Sequence, residues 1–172
     1  MKKTVYVIAA IWTLITLGIF VCNEMHLAKG EEVILKVIPY DPRDFLRGNY
    51  LTLNYEINDI EFPGTAIQNI NYENPIYVIL KKNAKGVASA VDITYLKPEN
   101  KLFIKGQLAH VRLDRDKEKI FYRIKYNNID RFYVKEGNAK KLEKSLQKNG
   151  GYAKIYLTRN GNARIKEIIE NK

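Results

Sequence analysis

At 172 residues the chain has room for one folded domain of the usual roughly 100–200 residues. Its 46% hydrophobic and 28% charged content excludes both a disordered chain and a multispan membrane protein. The formal net charge of +10 suits anionic lipid heads or acidic wall polymers, or no more than a solvated basic face; no nucleic-acid role is expected, because the chain reads as exported.

Met1-Lys2-Lys3 precedes an uncharged apolar run from Val5 to Cys22 that carries Tyr6 and Trp12. The run is about 18 residues long, near the roughly 20 that a helix needs to cross a bilayer core. Glu24, Lys29, Glu31 and Glu32 follow it, so positive charge is concentrated before the span. The positive-inside rule then keeps the N-terminus in the cytoplasm and exports the rest. The expectation is a single-pass protein of the plasma (inner) membrane, with residues 1–26 as cytoplasmic tip and anchor and residues 27–172 as an extracytoplasmic domain. A cleaved signal peptide is the rival, but Gly18 to Glu24 offers no pair of small residues for cleavage. A lipidated Cys22 is the third reading, against which Phe20 and Val21 are too large. As the single cysteine, Cys22 leaves the outer domain without a disulfide.

Beyond the anchor, strand signals dominate, in keeping with twelve Tyr and frequent Ile and Val. Glu31 to Ile38 alternates as a strand that Pro39 ends. Tyr50 to Ile57 predicts another, with Leu51, Leu53, Tyr55 and Ile57 on one face. A loop is expected from Asn58 to Asn74. Further strands are predicted at Pro75–Lys82, Val87–Leu96, Leu102–Asp114 and Lys119–Tyr126, separated by turns at Lys85-Gly86 and Lys97-Pro98-Glu99-Asn100. Ala139 to Lys148 has helical spacing, with Ala139, Leu142 and Leu146 on one stripe, Asn138 as N-cap and Gly150-Gly151 as stop. Tyr152–Thr158 and Ala163–Ile169 form a hairpin around Asn160-Gly161, a type I′ signal. The fold class is mainly β: an antiparallel sandwich or barrel with one covering α-helix, preceded by an N-terminal transmembrane helix.

Catalytic groups are sparse. The serines are Ser89, within a predicted strand, and Ser145, on the polar side of the helix. His26 lies beside the membrane and His110 within a strand. No His/Cys spacing suits zinc and no Gly-rich loop joins a strand to a helix, so neither a cofactor nor an enzymatic activity is expected.

The densest stretch runs from Pro39 to Tyr55. Arg43, Asp44 and Arg47 alternate in sign between prolines and Gly48. Pro42 pushes Asp41 towards an extended conformation, and Gly48 permits a close approach or a positive φ just before the next strand. Asp41 and Asp44 suit turn hydrogen bonds. Arg43 or Arg47 can pair with Asp44 for up to about 1 kcal/mol, or form a fork for an anionic group on a partner.

At these residues the sequence resembles a family of bacterial membrane-anchored proteins of unknown function, named for the signature Gly-Asp-Tyr-x-x-Leu-x-Tyr (GDYXXLXY). Gly48, Tyr50, Leu53 and Tyr55 stand in register with it, and Asn49 replaces its Asp. Asp41-Pro42-Arg43-Asp44 and Leu46-Arg47 are similar to the approach, and Arg131-Phe132-Tyr133-Val134-Lys135-Glu136-Gly137 to a downstream segment. The resemblance implies an exported, anchored domain in complex with a multi-pass membrane protein. It implies no reaction, and Asn49 removes the carboxylate that a metal or acid–base role there would need.

The residues therefore favour a non-catalytic accessory subunit that docks through the surface around Arg43–Tyr55 and Arg131–Gly137. A signal-peptidase-like hydrolase is the alternative from another class, although no Ser or Lys lies between Pro39 and Tyr55. A basic binder of anionic envelope polymers is a third, and its binding would weaken with salt.

Overall fold

The computed structural model describes residues 2–28, 30–38, 50–63, 70–114, 119–134 and 139–171. Helix α1 (Lys2–Ala28) comes first. Its stretch Thr4–Val21 has a mean hydropathy of 2.2 and no buried side chain. At 1.5 Å per residue that stretch is about 27 Å long, close to the thickness of a bilayer core. It is long and apolar enough to cross a membrane, a property that signal sequences share. Its two hydroxyls turn inward: Thr13 Oγ1 donates to Ala9 O (2.9 Å) and Thr16 Oγ1 to Trp12 O (2.6 Å). Both polar groups are thereby satisfied without water.

The remainder is mainly β. In chain order the elements are β1 (Glu31–Val37), β2 (Tyr50–Thr52), a 3₁₀ turn (Glu56–Asn58), β3 (Asp59–Pro63), β4 (Pro75–Lys82), β5 (Val87–Thr94), β6 (Phe103–Asp114), β7 (Lys119–Lys125), β8 (Arg131–Tyr133), α2 (Ala139–Asn149), β9 (Gly151–Leu157) and β10 (Ala163–Glu170). Eight strands form one sheet in the order β10-β9-β1-β5-β4-β6-β7-β3, and β2 pairs with β8 in a separate ribbon. Neighbours run antiparallel except β1 and β5, which are parallel. The sheet curls on itself. Where β7 has ended, Lys105 N of β6 donates instead to Gly161 O in the β9–β10 turn, at 2.9 Å.

Period-two alternation fixes which face is inward. Val33, Leu35 and Val37 of β1, Ala153, Ile155 and Leu157 of β9, and Ile76, Val78 and Leu80 of β4 are buried. They join Ile104, Leu108, Tyr122 and Ile124, and with the ribbon's Leu51 and the helix's Leu146 make one hydrophobic cluster. A two-stranded ribbon is marginal alone, so the shared core is what holds β2 and β8 in place. The core crosses a tight spot at Gly106. A Cβ there would lie 2.5 Å from Ile124 Cγ2 and 3.0 Å from Tyr126 Cε1.

Three expectations need correction. Tyr50–Ile57 is not one strand: β2 ends at Thr52 and Glu56–Asn58 is a 3₁₀ turn. The inward set nevertheless holds, since Leu51, Leu53, Tyr55 and Ile57 are all nearly fully buried. The segment changes partners instead of continuing along one. Leu53 N donates to Asp130 O (2.9 Å) beside β8, and then Ile38 N donates to Asn54 O (2.9 Å) while Tyr55 bridges Val37 of β1.

The expected loop Asn58–Asn74 contains β3, whose Ile60 is buried and whose Asp59 accepts both Nε and a terminal N–H of Arg123 at 2.7 Å. Pro63 closes this strand, which an edge position permits. The β9–β10 turn is not type I′, because that turn needs two positive φ angles and only Gly161 (φ +79°) has one. Gly161 N donates to Thr158 O and Thr158 N to Asn162 O, both at 2.9 Å, the three-residue hairpin with a glycine bulge. At the end of α2, Gly150 adopts φ +65° and stops the helix as anticipated. Asn138, the anticipated N-cap, lies outside the described residues.

Candidate functional site

The ribbon brings together the two stretches that the sequence singled out separately. Tyr50 pairs with Tyr133, Leu51 with Phe132 and Thr52 with Arg131. Alternation gives it two unlike faces. Leu51 (fully buried) and Phe132 point to the core, while Tyr50, Thr52, Arg131 and Tyr133 share the outer face. There the Tyr50 and Tyr133 rings stand 5.9 Å apart at 57°. The Arg131 guanidinium lies over the Tyr50 ring at 5.2 Å and 3.8 Å from the Asp130 carboxylate. Tyr133 is 73% exposed. A rigid aromatic pair with a stacked arginine offers apolar area, a cation and hydroxyls at small cost in side-chain entropy.

Directly beneath, a buried latch joins the ribbon to the large sheet. Tyr55 OH donates to Ile129 O and Tyr126 OH to Ile57 O, each at 2.7 Å. Asn58 completes it, accepting from Tyr55 N at Oδ1 (2.6 Å) and donating from Nδ2 to Ile124 O (2.6 Å). Burial raises the hydroxyl pKa of Tyr55 well above its ordinary value, and the Asp130 carboxylate adds to the shift. Burial alone does the same for Tyr126. Both tyrosines are thus held neutral as donors.

The signature is therefore divided. Leu53 and Tyr55 belong to the core and the latch; Tyr50 belongs to the surface. Of the other sequence-predicted site residues, Arg131 and Phe132 sit on opposite faces of β8. Asp41, Arg43, Asp44, Arg47, Gly48, Asn49, Glu136 and Gly137 lie outside the described residues, and so does any pairing of Asp44 with Arg43 or Arg47. Sequence reasoning passed over Asn58, Tyr126 and Asp130. Their one legible trace is the turn-forming run Asn127-Asn128 just ahead of the ribbon strand.

Elsewhere, Ser89 lies opposite Lys81 across β4 and β5. Both are exposed on an open sheet face and no hydrogen bond joins them. A serine–lysine pair needs contact and a desolvated lysine before it can act as nucleophile and base, and this pair has neither. Ser145 is half-buried on α2, and His110 is exposed on β6. Among the described residues, no three His, Cys, Asp or Glu side chains come together. A cleft of about 370 Å³ opens beside Gly106, between Lys105, Gln107, Lys125, Asn127 and Asn162. Its lining offers amides, ammonium groups, the Glu73 carboxylate and the ring of Tyr126, whose hydroxyl is committed to Ile57 O.

The family model described as GDYXXLXY protein matches residues 12–168. No curated protein and no solved structure matches the chain.

Proposed function

The chain belongs to the GDYXXLXY family, and from that premise we propose that it is a membrane-anchored, non-catalytic accessory subunit whose ribbon docks on a multi-pass membrane partner. In this reading α1 spans the membrane with its N-terminus in the cytoplasm, and the β-domain stands outside. The observation that carries it is the ribbon's outer face. Tyr and Arg are over-represented among residues that dominate interface energies, and here Tyr50, Tyr133 and Arg131 are held together on a backbone fastened by a buried latch. Such a surface binds without rearrangement, which limits the entropic cost of association.

Affinity purification of the full chain from mildly solubilised membranes tests the proposal, run beside an Arg131→Ala/Tyr133→Ala double variant. A stoichiometric membrane partner retained by the natural protein and lost by the variant is the expected result. Equal recovery from both would return the ribbon to a purely structural role, and no partner with either would remove the accessory-subunit reading.

A further inference from the structure

The anchor also fixes which end of the domain faces the bilayer, and that end has a chemistry of its own. Helix α1 stops at Ala28 and β1 starts at Glu31. Three residue steps span at most about 10 Å, so the Glu31 end of the sheet stays next to the end of the helix. Three loops share this end. Glu31 pairs with Leu157, just ahead of the β9–β10 turn. Gly86 O, closing the β4–β5 turn, accepts from Ile34 N at 3.3 Å. The β5–β6 crossover reaches in as well: Lys97 Nζ donates to Asn160 Oδ1 (2.9 Å), and Asn100 and Lys101 line a hollow with Glu31, Leu157 and Arg159.

The charges on this rim do not balance. Glu31 is engaged by Lys82 (2.6 Å). Glu32 is engaged by Lys166 (2.9 Å) and Lys154 (3.6 Å), with the Lys166 hydrogen bond holding its carboxyl below the ordinary range. Lys85, Lys97, Lys101 and Arg159 are exposed and have no carboxylate partner among the described residues, with the exposed acids Asp92 and Glu99 in a hollow beside Lys97 and Lys101. Beside Lys97, Leu96 is 81% exposed.

We propose that this rim rests on anionic phospholipid headgroups, with Lys85, Lys97, Lys101 and Arg159 on the phosphates and Leu96 in the interfacial layer. The inference rests on α1 being a membrane anchor. Seven helical residues and three further steps separate Val21, the end of the apolar stretch, from Glu31, a span of at most about 20 Å, so the tether keeps the cations in the neighbourhood of the lipid surface at a high effective concentration. An apolar side chain among cations gains from a lipid interface and has no counterpart in a soluble anionic polymer. Docking there would also fix the tilt of the domain and hence the direction in which the Tyr50–Tyr133 face points.

The full chain, reconstituted in nanodiscs of phosphatidylcholine with and without phosphatidylglycerol, allows the test by amide hydrogen exchange. Exchange across 95–101 and 158–162 is expected to slow by at least about fivefold in the anionic discs, the factor matching about 1 kcal/mol for one basic side chain at such a surface. High salt should reverse the slowing, and so should a Lys97→Glu/Lys101→Glu/Arg159→Glu variant, while β2 and β8 stay unchanged. Equal exchange in both kinds of disc would overturn the proposal. So would equal slowing on neutral discs by soluble polyphosphate. Failure of the chain to enter discs at all, read by flotation, would instead remove the anchor beneath it.

Discussion

Leu53 and Tyr55 are 4% and 1% exposed, whereas Tyr50, in the same signature, stacks at the surface on a Tyr133 that is 73% exposed. The contrast separates two reasons for a residue to matter. Leu53 and Tyr55 are where they are because the chain changes partners from β8 to β1 and must satisfy its backbone while doing so. Among the described residues, the side chains of Tyr50, Arg131 and Tyr133 engage one another and the Asp130 carboxylate, all at the surface. A shared motif is thus not in itself a site; burial and hydrogen bonding divide it into a fastening and a presented face.

The comparison breaks first on the fastening. Tyr55→Ala removes a buried ring and leaves Ile129 O without its donor, and should cost about 3–5 kcal/mol in urea unfolding of the detergent-solubilised protein. A loss below about 1 kcal/mol would mean that the latch is incidental.

Alkali probes the same latch more gently. The folded-state pKa values of Tyr55 and Tyr126 lie above the unfolded value, so their contribution is complete below about pH 10 and is lost as pH rises beyond it. Stability should fall by about 1.4 kcal/mol per pH unit for each tyrosine above that point. Tyr55→Phe should lower the slope by about 1.4 kcal/mol per pH unit, and an unchanged slope in that variant would contradict the burial argument.

The presented face should respond least. Arg131→Ala and Tyr133→Ala each break only exposed contacts and should shift stability by less than about 0.5 kcal/mol. A loss comparable to that of Tyr55→Ala would merge the two halves into one structural unit.

Much of the fold was legible because half-buried strands carry their own signature. β1, β4 to β7, β9 and β10 fall where alternation placed them, to within a residue or two at their ends, and α2 shows its Leu142–Leu146 stripe. The failures have physical causes. Alternation from Leu51 to Ile57 recorded which side chains go inward, but backbone partners leave no trace in a hydrophobic pattern, so a ribbon strand followed by a 3₁₀ turn looked like one strand. β3 was hidden because an edge strand with one buried isoleucine, an ion-paired Asp59 and a closing Pro63 has the composition of a loop. The parallel pairing of β1 with β5 depends on the crossing of chain segments, which no local window contains.

The candidate site was half legible. Both stretches stood out by composition, yet their pairing is a long-range event that neither stretch encodes alone. Alternation put Tyr55 on the inward face and Tyr50 on the other, but it carries no sign of the hydrogen bond to Ile129 O that makes Tyr55 part of the latch. The basic rim escaped for a related reason. The late lysines that dominate the charge count include Lys154 and Lys166, which are occupied by Glu32 and Glu167. Lys85, Lys97 and Lys101 come from other segments and meet Arg159 only in the folded sheet.

The central claim is that the ribbon's outer face is presented to a partner, and site-specific photo-crosslinking in living cells addresses it most directly. Tyr133 would be replaced by p-benzoylphenylalanine in the full chain, with the same probe at Ser89, an exposed position on the open face of the large sheet, as control. The account predicts one discrete membrane-protein adduct from position 133 and none from position 89. No adduct from 133, or the same adducts from both positions, would contradict it.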